Sequence, residues 1–199
     1  MTFDLLTALI GFAIATSITP GPNNLMLMAS GANFGFWRSI PHMLGIGIGF
    51  TVMIFLVGIG LIELFDRYPW SYVALQFFSV GYLSWLAWKI ATAAPPKAGD
   101  AGGTPMSFVQ AALFQWVNPK AWSMALSAIT AYAPERSVGG ILFVALVFGA
   151  VNLPCVSTWT ILGQQVQRIL HRPNWLRTFN IVMAVLLLLS ALPLLLAKG

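Results

Sequence analysis

Charge is nearly absent over long stretches of this chain: no Asp, Glu, Lys or Arg occurs from Leu5 to Trp37, and uncharged runs recur along its length. In a sequence that is 58% hydrophobic and 8% charged, such runs leave little choice of fold. Backbone N–H and C=O groups inside a bilayer must pair internally, so apolar passages of this kind become helices. The predicted class is an all-α polytopic membrane protein. Hydropathy places six transmembrane helices at about residues 3–28, 39–62, 69–93, 107–132, 138–165 and 175–197. One membrane domain, 1–199, accounts for the chain, and its longest polar segment, Ala94 to Ser107, reads as a Pro/Gly/Ala linker.

The first span contains an obstacle. Thr19-Pro20-Gly21-Pro22-Asn23-Asn24 interrupts it, and no helix passes intact through two prolines that each remove a donor and crowd the preceding turn. A loop between two separate spans does not fit either. The flanking pieces, Leu5 to Ile18 and Leu25 to Trp37, are about 14 and 13 residues, short of the roughly 17 to 25 that a span needs. The reading is one broken passage, and irregular backbone at that depth survives only where protein buries it or a polar cavity receives it.

The fourth span repeats the pattern. Pro105 to Val117 and Ala121 to Pro134 are again about 13 and 14 residues, too short to cross alone, with Asn118-Pro119-Lys120 between them. A charge in mid-passage is expensive, so Lys120 faces a partner, a cavity or water. The alternative is that it snorkels from a shallow position. Breaks in spans one and four imply two halves, about 1–93 and 107–199 around a linker 94–106, each of three spans. An odd number of crossings inverts the second half, which gives a 3+3 inverted repeat with broken helices 1 and 4.

The ten Lys and Arg residues against five Asp and Glu do not cluster among aromatics, so no nucleic acid is expected as a partner. They mark topology instead. Arg38, Lys89, Lys97, Arg168, Arg172 and Arg177 lie in the odd connections, and Arg67, Arg136 and Lys198 on the other side, so the odd loops are expected inside and both termini outside. The start of the chain lacks a basic n-region and a small-residue cleavage site, so the first helix is expected to be retained. Trp37, Trp70, Trp85, Trp88 and Trp175 fall near predicted span ends, where lipid headgroups favour amphipathic rings. Cys155 is the one cysteine and reads as a small buried hydrophobe.

Thr19-Pro20-Gly21-Pro22-Asn23-Asn24, followed by Gly31, Gly35, Gly45 and Gly49, resembles the signature of the LysE/RhtB amino-acid exporter family. Asn118-Pro119-Lys120 is similar to that family's second motif, and size and layout fit over essentially the whole chain. The Pro-Gly-Pro-Asn-Asn run and Trp85-Leu86-Ala87-Trp88-Lys89-Ile90-Ala91 look most similar to the cysteine/O-acetylserine exporter branch. The resemblance implies secondary transport of amino acids out across the cytoplasmic (inner) membrane, by proton exchange and without a cofactor. It does not imply an enzyme.

A free amino acid is a zwitterion, and a carrier must replace water around both of its charges. A half-helix restarting at Pro22 offers unpaired N–H groups and a positive dipole end to a carboxylate. Carbonyls released before the break, with the side-chain oxygens of Asn23 and Asn24, suit an ammonium. The candidate substrate-binding residues are therefore Pro20, Gly21, Pro22, Asn23, Asn24, Asn118, Pro119 and Lys120. Lys120 supplies charge for the carboxylate, and Asn118 orients it.

Gly45 and Gly49 read as helix-packing positions, while Gly31 and Gly35 are expected in the inner turn. His42 has the chemistry of a proton carrier, but its place near a predicted boundary favours a solvated interfacial side chain. Gln110, Gln115, Trp116 and Trp122 share the fourth span and are left outside the site. A metalloprotease would need a His-Glu-x-x-His set, which is missing, and a serine enzyme a Ser with a base. The alternative is a carrier of another small solute or a metal cation, but carboxylates and imidazoles are scarce in the spans, so no metal site is expected. Membrane lipid is an expected partner, and the base rate of symmetric assemblies favours a homodimer.

Overall fold

The computed structural model of the chain describes residues 2–93, 103–133, 137–169, 173–190 and 192. Helices α1 (Phe3–Ile18) and α2 (Pro22–Phe34) flank the Pro-Gly-Pro run and meet at a bend of 57°. A 3₁₀ turn, Trp37–Ser39, leads into α3 (Ile40–Leu56), which closes in a π-helical turn, Val57–Leu61, where Gly60 adopts φ 124°. Then come α4 (Ile62–Arg67) and α5 (Trp70–Ala91). After the linker, α6 (Phe108–Phe114) tightens into a 3₁₀ turn, Gln115–Val117, and α7 (Pro119–Tyr132), α8 (Val138–Ile169) and α9 (Pro173–Leu189) follow. Every regular element among the described residues is helical.

Local sequence explains where these helices start. Thr2 caps α1 by accepting from the Leu5 N–H, and Ser107 with Gln110 forms a reciprocal capping box on α6. Both α2 and α7 begin with a proline, whose missing N–H leaves no donor unpaired at that position.

Among the described residues, two segments, Trp37–Leu61 and Val138–Val166, are long and apolar enough to cross a membrane by themselves, and α1 with α2 makes a third if the bent pair is one span. Helix α5 has 22 residues, about 33 Å at 1.5 Å per residue. The fourth and sixth expected spans are represented by shorter helices, and 193–197 of the sixth lie outside the described residues. The first span differs from its expected bounds, since α2 runs on to Phe34 instead of ending near residue 28. The π turn closes the second span at Leu61, and α4 occupies the expected second connection. Linker residues 94–102 also lie outside the described residues, as do Lys97, Arg136, Arg172 and Lys198 of the orientation argument.

Helix α8 is the centre of the packing, in contact with α1, α2 and α3. Around it Leu9, Phe50, Met53, Ala125 and Phe148 form the largest core cluster. A second cluster joins α2, α5, α6 and α9 through Met26, Leu86, Phe114 and Leu187. The outer faces are also apolar: Phe77, Phe78, Leu113, Leu146 and Val185 are exposed, as lipid-facing side chains are. All five boundary tryptophans are exposed.

Small residues bring backbones together at two places. A Cβ on Gly31 would strike the Thr160 carbonyl, and one on Gly163 the Met28 carbonyl, so α2 lies directly on the backbone of α8. Gly45 and Gly49 lie against Phe108 and Ala112 of α6 in the same way. Gly31 therefore sits inside α2 and not in the inner turn. Gly35 does end α2, with φ 78°.

Candidate functional site

Between Ile18 and Pro22 the backbone is extended, so the last carbonyls of α1 have no helical N–H ahead of them. The fold supplies donors from three directions. Asn24, almost fully buried, donates its Nδ2 to the Ser17 carbonyl at 2.8 Å and the Thr19 carbonyl at 2.7 Å. Trp159 Nε1 of α8 donates to the Ile18 carbonyl at 3.1 Å. Lys120 Nζ of α7 donates to the Thr19 carbonyl at 2.5 Å and to Thr19 Oγ1 at 2.8 Å, with the Pro20 carbonyl at 3.4 Å.

The second break is assembled locally. Asn118 caps α7, its Oδ1 accepting from the Lys120 N–H at 3.1 Å, while its own N–H donates to the Gln115 carbonyl at 3.3 Å. Lys120 is thereby launched from the first turn of α7 across to the first break. Its ammonium meets carbonyl and hydroxyl dipoles there, and Gly21 makes room for it. A Cβ at Gly21 would come within 2.6 Å of Lys120 Cδ.

A cavity of about 20 Å³, room for about one water, lies between the two breaks. Gly21, Asn23, Asn24, Asn118 and Lys120 line it, together with Asn152 of α8. Five of the eight expected site residues thus meet at one place. Pro20 contributes a carbonyl, and Pro22 and Pro119 start the helices that aim the others.

Sequence reasoning left out two further polar residues of the site. Gln115, fully buried, exchanges two hydrogen bonds with Asn23: Nδ2 to Oε1 at 2.8 Å and Nε2 to Oδ1 at 3.2 Å. Asn152 donates to Ser17 Oγ at 3.1 Å, and its Oδ1 is buried without a partner. The signal for both was a lone amide in an apolar run. The Asn23 oxygen expected to face an ammonium accepts from Gln115 instead. His42 departs from its expected interfacial place: it is 2% exposed, and neither ring nitrogen has a partner. Among the described residues, no three His, Cys, Asp or Glu side chains gather as a metal site.

The LysE type translocator family matches residues 14–198. Cysteine/O-acetylserine efflux proteins of Escherichia coli strain K12, Escherichia coli O139:H28 strain E24377A and Shigella sonnei strain Ss046 are each 31% identical to the chain over 198 residues, covering 96% of it and 97% of theirs. No solved structure matches it. The relatives are named as transporters and not as enzymes, and the match runs through both helix breaks and every helix between them: the chain belongs to the LysE type translocator family.

Proposed function

We propose that the chain exports small neutral amino acids or close derivatives, of the cysteine and O-acetylserine kind, through a site made by the two helix breaks. One observation carries the reading: Lys120 of the second break is hydrogen-bonded to Thr19 and Pro20 of the first. A primary ammonium already occupies the carbonyl cluster, and the α-ammonium of an amino acid is the same chemical group. Substrate binding is then an exchange. The substrate ammonium takes the Thr19 and Pro20 carbonyls, and Lys120 swings to the carboxylate, which the N-terminal N–H groups of α2 also face. Neither charge is left without a partner during the exchange, which avoids a desolvation penalty of several kcal/mol. The small cavity marks this state as closed, because an amino acid enters only if the breaks separate.

The inverted repeat is supported by part of the helix contacts. A two-fold exchange of halves maps the α3–α8 and α5–α9 pairs onto themselves and converts α1 on α8 into α6 on α3, whereas α2 on α8, the most extensive contact, has only a slight counterpart in α7 on α3. A common side for the first and third connections is supported by Arg38, whose Nη2 donates to the Gly103 carbonyl at 3.1 Å, and the Lys/Arg bias of the odd loops favours the inner side for both. Proton exchange as the driving reaction and an inner-membrane location follow the family resemblance, both termini outside follow the Lys/Arg bias, and a homodimer follows the base rate of symmetric assemblies.

The test is export from cells loaded with dipeptides, comparing internal and external pools of cysteine, O-acetylserine, threonine and homoserine with and without the protein. Faster loss of at least one of them is expected, and Lys120→Met should abolish it while leaving the protein in the membrane. Unchanged pools for all four would overturn the exporter reading. Normal export by Lys120→Met would overturn the site.

A further inference from the structure

A second cavity, of about 440 Å³, lies between the C-terminal ends of α2 and α5, the start of α3 and residues 103–106. Its volume falls within the roughly 300 to 1,000 Å³ typical of small-molecule sites. We propose that it is a loading site for the same zwitterionic amino acids on the inner side of the membrane, with His42 as its polar anchor. The inference rests on the exporter reading and goes beyond it, because it names a second place where substrate is held.

The unpaired polar groups of the cavity are one imidazole and a basic rim. His42 lines it, and its two ring nitrogens are buried with no protein partner and reach the cavity by a turn of the ring; a buried polar group left so calls for a ligand or water to complete it. Ser30, hydrogen-bonded to Ser39, and Asn33, hydrogen-bonded to Ala29 and Asn180, make a polar wall on α2 whose groups are already paired, and Lys89 stands at the exposed rim. Arg38, over the ring of the lining residue Phe34 at 5.5 Å, adds a second cation beside it. Two basic groups at the rim and a neutral donor and acceptor within favour a carboxylate-bearing solute over a cation.

The cavity and the break share a route. Met26, Ser30 and Asn33 continue the side of α2 that starts at Asn23, and Asn23 to Ser30 is about 10 Å along the helix. What separates them is the Asn23–Gln115 amide pair, with Met26, Phe114 and Val117 packed beside it. These two reciprocal hydrogen bonds form the inner latch: parting them opens the way from the loading site to the carbonyl cluster.

Two measurements test the loading site. The first uses a Cys155→Ala background carrying Ala29→Cys, since Ala29 lines the cavity and the chain has no other cysteine. In inverted vesicles a charged, membrane-impermeant thiol reagent should label residue 29, and an amino acid already found to be exported should slow the labelling several-fold. No labelling from either face, or labelling from the outer face alone, would overturn the proposal. The second compares His42→Leu with His42→Gln in cells where the unmodified protein exports. The Leu variant should raise the internal concentration needed for half-maximal export several-fold, and the Gln variant, which keeps a donor and an acceptor, should restore most of it. Unchanged concentration dependence in the Leu variant would overturn the loading site while leaving export intact. Absence of export by the unmodified protein would instead refute the exporter reading, so the two failures are distinct.

Discussion

At Asn118-Pro119-Lys120 the chain caps its own restart, with Asn118 accepting from the first turn of α7 and Pro119 needing no partner. At Pro20-Gly21-Pro22 it does not. There the broken helix bends by 57°, and its last carbonyls are met by Asn24, Trp159 and Lys120, two of them from other helices. The difference assigns unequal work to two similar interruptions. The self-capped break is a rigid platform that projects a charge, and the open break is a receptor that stays unsatisfied unless something reaches into it.

Lys120→Met is the largest expected perturbation of that division. It removes the projected charge, leaving the Thr19 carbonyl with Asn24 alone and the Pro20 carbonyl and Thr19 hydroxyl without that donor, so export should fall to background. The platform should survive, because the methionine N–H still donates to Asn118. Membrane abundance and export, measured together, check this. Equal loss of both would make Lys120 a structural residue and erase the contrast.

Asn24→Ala ranks next, and its effect should appear in stability. The amide spans Ser17 and Thr19; losing it leaves the buried Ser17 carbonyl without that donor, at about 1–3 kcal/mol, while the Thr19 carbonyl keeps Lys120. A lower unfolding midpoint of the detergent-solubilised protein is expected. Asn24→Asp should be worse, because a carboxylate acceptor would face carbonyl acceptors. A midpoint unchanged by either substitution would mean that the open break does not depend on side chains for its shape.

What was readable beforehand follows from the same physics. Pro20, Pro22, Pro119 and Lys120 each violate a rule that helices in lipid obey, so each stands out in a single sequence. Gln115, Asn152 and Asn33 violate nothing, since one amide in an apolar run can face any direction. Only the fold reveals that Gln115 meets Asn23 and that Asn33 meets Asn180. His42 was misplaced for a related reason. A boundary drawn near residue 39 puts it at the interface, but α2 extends to Phe34 and a 3₁₀ turn precedes α3, so the ring is covered from both sides. The extension of α2 depends in turn on Gly31 and Gly163 meeting the backbone of the opposite helix, which hydropathy does not record.

Asn118→Ala tests the platform. An N-cap lost to alanine costs about 1 kcal/mol, and here it also loosens the turn that aims Lys120. A small drop in midpoint with a several-fold drop in export is expected, and Asn118→Ser should recover both. If the serine variant recovered stability but not export, Asn118 would belong to the receptor as well as the platform.

The smallest effect is expected at Gly21, where the two breaks touch. Its φ of −177° is extended backbone that alanine adopts without strain, so no conformational penalty arises. The obstacle is the approach of the new methyl to Lys120 Cδ at 2.6 Å, and that atom belongs to a flexible side chain able to shift. Gly21 is buried, but its new methyl meets only that flexible side chain, so Gly21→Ala should cost less stability than Asn24→Ala. Export should slow only a few-fold, through displacement of the ammonium from the Thr19 carbonyl. A bulkier Gly21→Val blocks the approach of Lys120 and should come close to Lys120→Met. Alanine and valine variants that export equally would mean that the contact between the breaks is incidental to transport.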